Sequence, residues 1–93
     1  MNTTRILKYP VNREGLTHIT CRRYRLLDIQ LQGRELMCWV ETRDDMPETT
    51  TELASVGTGW EMPSDVMDGA FYFKTVQDAD GYVWHFYELQ SLH

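Results

Sequence analysis

Histidine is the side chain best suited to moving protons near neutral pH, and this sequence has three: His18, His85 and His93. His85 is the best placed, inside the aromatic stretch Tyr82-Val83-Trp84-His85-Phe86-Tyr87 and close to Glu88. Residues 85 and 88 of a strand point to opposite faces, so a direct imidazole–carboxylate pair needs a bulge. His85 therefore reads as a hydrogen-bonded side chain of a sheet or an interface, and no base stands beside Ser55 or Ser64 to activate a hydroxyl. Two groups of acids, Asp44, Asp45 and Glu48, and separately Asp78 and Asp80, carry oxygens suited to a hard divalent cation. Both lie in turn-like stretches, where acids bond the backbone or solvate a loop, and neither follows the EF-hand spacing. Cys21 and Cys38 show no CxxC spacing and read as reduced thiols, with Cys38 packing as a small apolar group inside LMCWV. No catalytic residue, no metal and no cofactor is expected.

Binding chemistry is better represented. In Gly57-Thr58-Gly59-Trp60 the glycines would let backbone N–H groups converge on an anion, Thr58 adds a hydroxyl, and Trp60 could stack on a nucleotide base while an arginine meets phosphate. The motif falls short of a P-loop and of GxGxxG, and a tight turn after a strand also explains it. Three Trp, five Tyr and three Phe exceed the needs of a small core, and Trp, Tyr and Arg dominate interface hot spots. Trp60, Trp84 and Tyr87 are the candidate anchors, with Arg22, Arg23 and Arg25 as orienting charges.

Charge is unevenly spread. Residues 1–34 hold seven Lys or Arg against Glu14 and Asp28, a net of +5, whereas residues 35–93 hold Arg43 and Lys74 against twelve acids, a net of −10. The plainer expectation is that the two halves mix on one folded surface; the sharper one is complementarity between copies or with a partner. A pI near 5.0 and a single basic cluster disfavour nucleic acid.

The elements that must position these residues are mostly strands. Thr4 to Tyr9, Thr17 to Thr20, Tyr24 to Gln32, Leu36 to Thr42, Thr49 to Val56, Phe71 to Gln77 and Tyr82 to Leu89 are β-branched, aromatic or alternating. Leu27, Ile29 and Leu31 fall on one face of their strand, and Gly33 supplies a hairpin turn into LMCWVET. That run, apolar on both faces, suits a central strand covered over Met37 and Trp39 on one side and over Cys38 and Val40 on the other. Pro63 to Asp68 predicts one helical turn with a Ser64 cap, stopping at Gly69. The Asp80-Gly81 pair predicts a second hairpin, with Tyr82, Trp84 and Phe86 sharing a face. At 93 residues the chain fits a single domain, 1–93. The fold class is mainly β: an antiparallel sheet, sandwich or partly open barrel of about six or seven strands with at most one short helix. No run reaches bilayer-spanning or signal-peptide length, which predicts a cytoplasmic protein that does not enter the membrane.

Taken in order, Ile6 and Lys8-Tyr9-Pro10, the Leu27-Asp28-Ile29-Gln30 strand with its glycine turn, Gly57-Thr58-Gly59, Thr75-Val76-Gln77, and Val83-Trp84-His85 with Glu88 resemble a family of small uncharacterised proteins of tailed phages and prophages. The likeness spans nearly the whole chain; the arginine-rich Cys21 to Arg25 and the acidic Asp44 to Glu48 loop depart from it. The resemblance implies a phage origin and a compact β fold, and it carries no activity. The expectation is thus a small non-enzymatic phage accessory protein that binds a host protein in the bacterial cytoplasm and interferes with host metabolism or antiphage defence. Its alternatives are an oligomer that sequesters a nucleotide signal, and a minor virion component. The apolar Phe71 to Leu89 hairpin edge adds the expectation of a symmetric dimer.

Overall fold

The structure, a computed structural model, describes residues 2–89; His93 lies outside them. Seven strands form, β1 (Thr4–Pro10), β2 (Gly15–Cys21), β3 (Arg23–Gln32), β4 (Glu35–Arg43), β5 (Thr49–Gly57), β6 (Phe71–Gln77) and β7 (Val83–Leu89), with one short helix, α1 (Ser64–Met67). They make two antiparallel sheets, ordered β1-β4-β3 and β2-β5-β7-β6, so the molecule is mainly β and not a closed barrel. Among the described residues no helix is long and apolar enough to cross a membrane.

β4 is the centre of its sheet, as its two-faced apolar sequence predicts. Cys38 and Val40 are buried on one face, while on the other Met37 is buried and Trp39 half-buried. The β3–β4 hairpin closes Gln32 onto Glu35 with Gly33 at φ +63°, the positive value a two-residue turn needs at its first position. In β2 and β5 the period-two pattern buries Thr17, Ile19 and Cys21, and Thr51, Leu53 and Ser55. One apolar cluster draws on both sheets and includes Ile19, Ile29, Cys38, Val40, Leu53, Trp84 and Phe86.

The structure corrects three local expectations. β3 slips register between Arg23 and Arg25 and again between Leu26 and Asp28. The second slip turns Leu26, in place of Leu27, toward the core, leaving Leu27 38% exposed. The first releases Tyr24, whose ring lies 3.5 Å from the Arg43 guanidinium carbon. Ser64 is not a cap: α1 is capped by Pro63, whose carbonyl accepts from the Val66 and Met67 amides with no side-chain bond. Tyr82 precedes β7 and is exposed, so it leaves the buried face on which Trp84 and Phe86 remain. Gly81 takes φ +91° without any positive φ at Asp80, because a different side chain, Asp78, organises that loop.

The charge asymmetry closes within the molecule. Arg13, Arg23 and Arg34 from the basic half bond Asp78, Asp80 and Glu88 from the acidic half, and Arg25 bonds Glu41. Lys74 of β6 reverses the pattern by bonding Asp28 of β3, joining the edges of the two sheets.

Candidate functional site

Three connections meet at one end of the four-stranded sheet. The first joins β1 to β2 and is shaped by its own polar groups: the Asn12 amide donates to Thr17 Oγ1 at 2.8 Å, and Asn12 Nδ2 to the Leu16 carbonyl at 2.7 Å. Ser55 Oγ of β5 donates to the Arg13 carbonyl at 2.8 Å and pins this loop to the sheet.

The second follows β5, where the Trp60 amide donates to the Gly57 carbonyl at 3.2 Å and Gly59 takes φ +84°. This turn carries the Trp60 ring back over Gly57, so closely that a Cβ on residue 57 would stand 2.7 Å from Trp60 Nε1. Trp60 meets Trp84 edge to face, with centroids 5.3 Å apart and planes at 88°.

The third is the β6–β7 hairpin. The Asp78 carboxylate, its side chain only 2% exposed, accepts from the Trp84 indole N–H at 2.8 Å, the Asp80 amide at 2.9 Å, the Tyr82 amide at 3.0 Å and Arg13 Nη1 at 3.1 Å. Those donors hold its carboxyl down to about 2, the Trp84 N–H above all, against burial, which pushes it up. Arg13 Nη1 also lies 3.1 Å from Asp80, whose other oxygen accepts from Arg34 at 3.0 Å.

Between these segments lies an open cleft of about 730 Å³, a volume suited to a ligand or an anchoring side chain. Asn12, Arg13 and Glu14 line one side, Gly57, Thr58 and Trp60 another, and Gly81, Tyr82, Val83 and Trp84 the rest. Trp60 is 48% and Tyr82 66% exposed, whereas Trp84 is 8% exposed and forms a floor instead of the protruding anchor expected from the sequence.

The chain belongs to the family described as Domain of unknown function (DUF7352), which matches residues 2–93. No curated protein and no solved structure matches it.

In this DUF7352 chain the sequence candidates fall at separate places. Gly57, Thr58, Trp60 and Trp84 meet at the cleft, with Gly59 in the turn behind it. Tyr87 packs edge to face on Tyr72 at 5.7 Å, away from the cleft lining. Arg22, Arg23 and Arg25 stand where β2 passes into β3, beside the start of β5, whereas the cleft lies beyond its end at Gly57. There Arg22 bonds the Met46 carbonyl, Arg23 grips Glu88 with two bonds of 2.5 and 2.9 Å and also Thr51, and Arg25 bonds Glu41. Nothing local in the sequence marks Arg13, Glu14 or Tyr82 for binding; Asp78, weighed with Asp80 for a cation, instead accepts from Arg13, Trp84 and two backbone amides.

His85 does not meet Glu88. Its Nε2 lies 2.7 Å from Thr58 Oγ1 and its Nδ1 3.0 Å from Thr75 Oγ1, which in turn lies 2.7 Å from the Tyr72 hydroxyl. A hydroxyl on an imidazole is nucleophile-and-base geometry, but the group orienting this imidazole is a neutral threonine and not a carboxylate. His18 pairs across strands with Glu52 at 2.7 Å. Among the described residues no group of three His, Cys, Asp or Glu is placed to hold a metal ion.

Proposed function

We propose that this DUF7352 protein is a non-enzymatic accessory protein of phage origin that acts in the host cytoplasm by binding a host protein, with the aromatic cleft as its contact site. One observation carries the reading: two exposed aromatic walls, Trp60 and Tyr82, stand over a buried third ring at the meeting of three connections. Aromatic groups beside a concavity are what recognition surfaces are built from. The order of motifs shared with small phage proteins supports the origin, and the inhibition of a host process would be steric. His85 is consistent with this reading, since the group that orients its ring is Thr75 and not a carboxylate, Glu88 being committed to Arg23.

Capture of host lysate proteins on immobilised protein tests this. A partner held by the wild type is expected to be lost with Trp60→Ala and with Tyr82→Ala, both at exposed positions outside the buried core. Retention of every partner by both variants would move the contact elsewhere.

A second reading, sequestration of a nucleotide signal, draws on Thr58 and Gly57 lining the same cleft as Arg13. A nucleotide present at 100 times its dissociation constant would add about 2.7 kcal/mol of stability. Heat denaturation with nucleotides decides it: no shift removes this reading.

A further inference from the structure

The cleft is aromatic without being basic. Arg13, the one cation lining it among the described residues, has its Nη1 held 3.1 Å from both Asp78 and Asp80. Glu14, beside it, is exposed, and the chain leaving Trp60 carries Glu61, Asp65 and Asp68 with no Lys or Arg before Lys74. A phosphate approaching Arg13 would meet a guanidinium whose charge is already shared with two carboxylates, in a surrounding of net negative charge. A cation meets the opposite conditions. The faces of indole and phenol rings attract ammonium and guanidinium groups, and an unencumbered carboxylate at the rim adds a charge-assisted bond.

We propose that the cleft receives a Lys or Arg side chain from a basic segment of the partner protein, lodged against Trp60 and Tyr82 with Glu14 as its counter-charge. This rests on the cleft being the binding site. A basic side chain suits the place because its alkyl stem covers the rings while its charged end reaches the rim.

The test uses capped peptides of equal length that differ only in a central Arg-Arg, Gln-Gln or Glu-Glu pair, together with AMP. Each is titrated into the isotope-labelled chain while the three tryptophan indole N–H resonances are followed, Trp39 on the other sheet serving as the internal control. The Arg-Arg peptide is expected to move the Trp60 resonance saturably and leave Trp39 unmoved, with the Gln-Gln peptide binding about tenfold more weakly. Glu14→Gln, at an exposed position, is expected to lower affinity for the Arg-Arg peptide about fivefold. The proposal is overturned if the Arg-Arg peptide leaves Trp60 unmoved or if Glu14→Gln binds it as well as the wild type. A preference for the Glu-Glu peptide or AMP, still dependent on Trp60, would reject the cation and keep the cleft. Silence toward all four probes, with partner capture still lost in Trp60→Ala, would do the same. A dimer that buries Trp60, detected by sedimentation without peptide, would overturn it by naming a second copy as the occupant.

Discussion

Asp78 joins two of the cleft's three connections through its own bonds, to Arg13 on one and to the Asp80 and Tyr82 amides on another, and reaches the third through Trp84 and its contact with Trp60. Its carboxyl is held at about 2, below the ordinary 3.8. A group depressed in this way adds stability above its unfolded pKa and loses it as the pH falls through its folded one. The urea midpoint of the wild type is therefore expected to decline between about pH 4 and pH 2, and Asp78→Asn should flatten that decline while lowering the midpoint at neutral pH. An acid limb unchanged by the substitution would contradict the assignment. Cys38 is a second residue whose behaviour follows from its surroundings. Burial pushes its thiol up to about 12, so a thiol reagent at mildly alkaline pH should leave Cys38 unmodified in the native protein and label it once urea unfolds the chain.

Among the elements, the turn after β5 depends on a glycine for a reason of space. Gly57→Ala would place a methyl 2.7 Å from Trp60 Nε1, which must swing the indole off its seat. The expected cost is about 1–2 kcal/mol, with tryptophan emission moving to the red and loss of the exciton signal of the Trp60–Trp84 pair in circular dichroism. Retention of that signal would show that the turn accommodates a side chain. This turn also marks how far the sequence can be read. Gly57-Thr58-Gly59-Trp60 announces a tight turn and an aromatic, and every strand is visible from alternation or β-branching, because those signals are local. The direction in which Trp60 folds depends on Trp84, which no local pattern contains. The slips in β3 are legible only in part: Leu26 and Leu27 stand side by side and break the alternation of YRLLDIQLQ where the second slip falls, while the meeting of Tyr24 with Arg43 at the first slip is a contact no local pattern contains. Arg13 meets Asp78 across 65 positions, a distance over which opposite charges are compatible with many partners.

Over the whole molecule, most arginines of the basic first third are drawn into pairs with acids of the remainder across the sheets and their loops, and the net charge of −5 is left on the surface. What this leaves for an outside partner is an acidic surface, the cleft and a few exposed apolar side chains. A domain of 93 residues has about 5–14 kcal/mol of stability. Phe86, fully buried in the cluster shared by both sheets, is expected to contribute enough that Phe86→Ala costs about 3–5 kcal/mol, measurable as a lower urea midpoint. Edge strand β6 exposes Phe71 and Tyr72 at the end away from the cleft. We propose that a symmetric dimer would form there and leave the cleft open; light scattering at two concentrations should show it, and Phe71→Ser with Tyr72→Ser should abolish it. The central claim is that binding passes through the aromatic cleft. It is tested most directly by calorimetry of the captured host partner against wild type and Trp60→Ala. The account predicts at least about a tenfold loss of affinity, the weight of a buried aromatic anchor; equal affinity for the two proteins would contradict it.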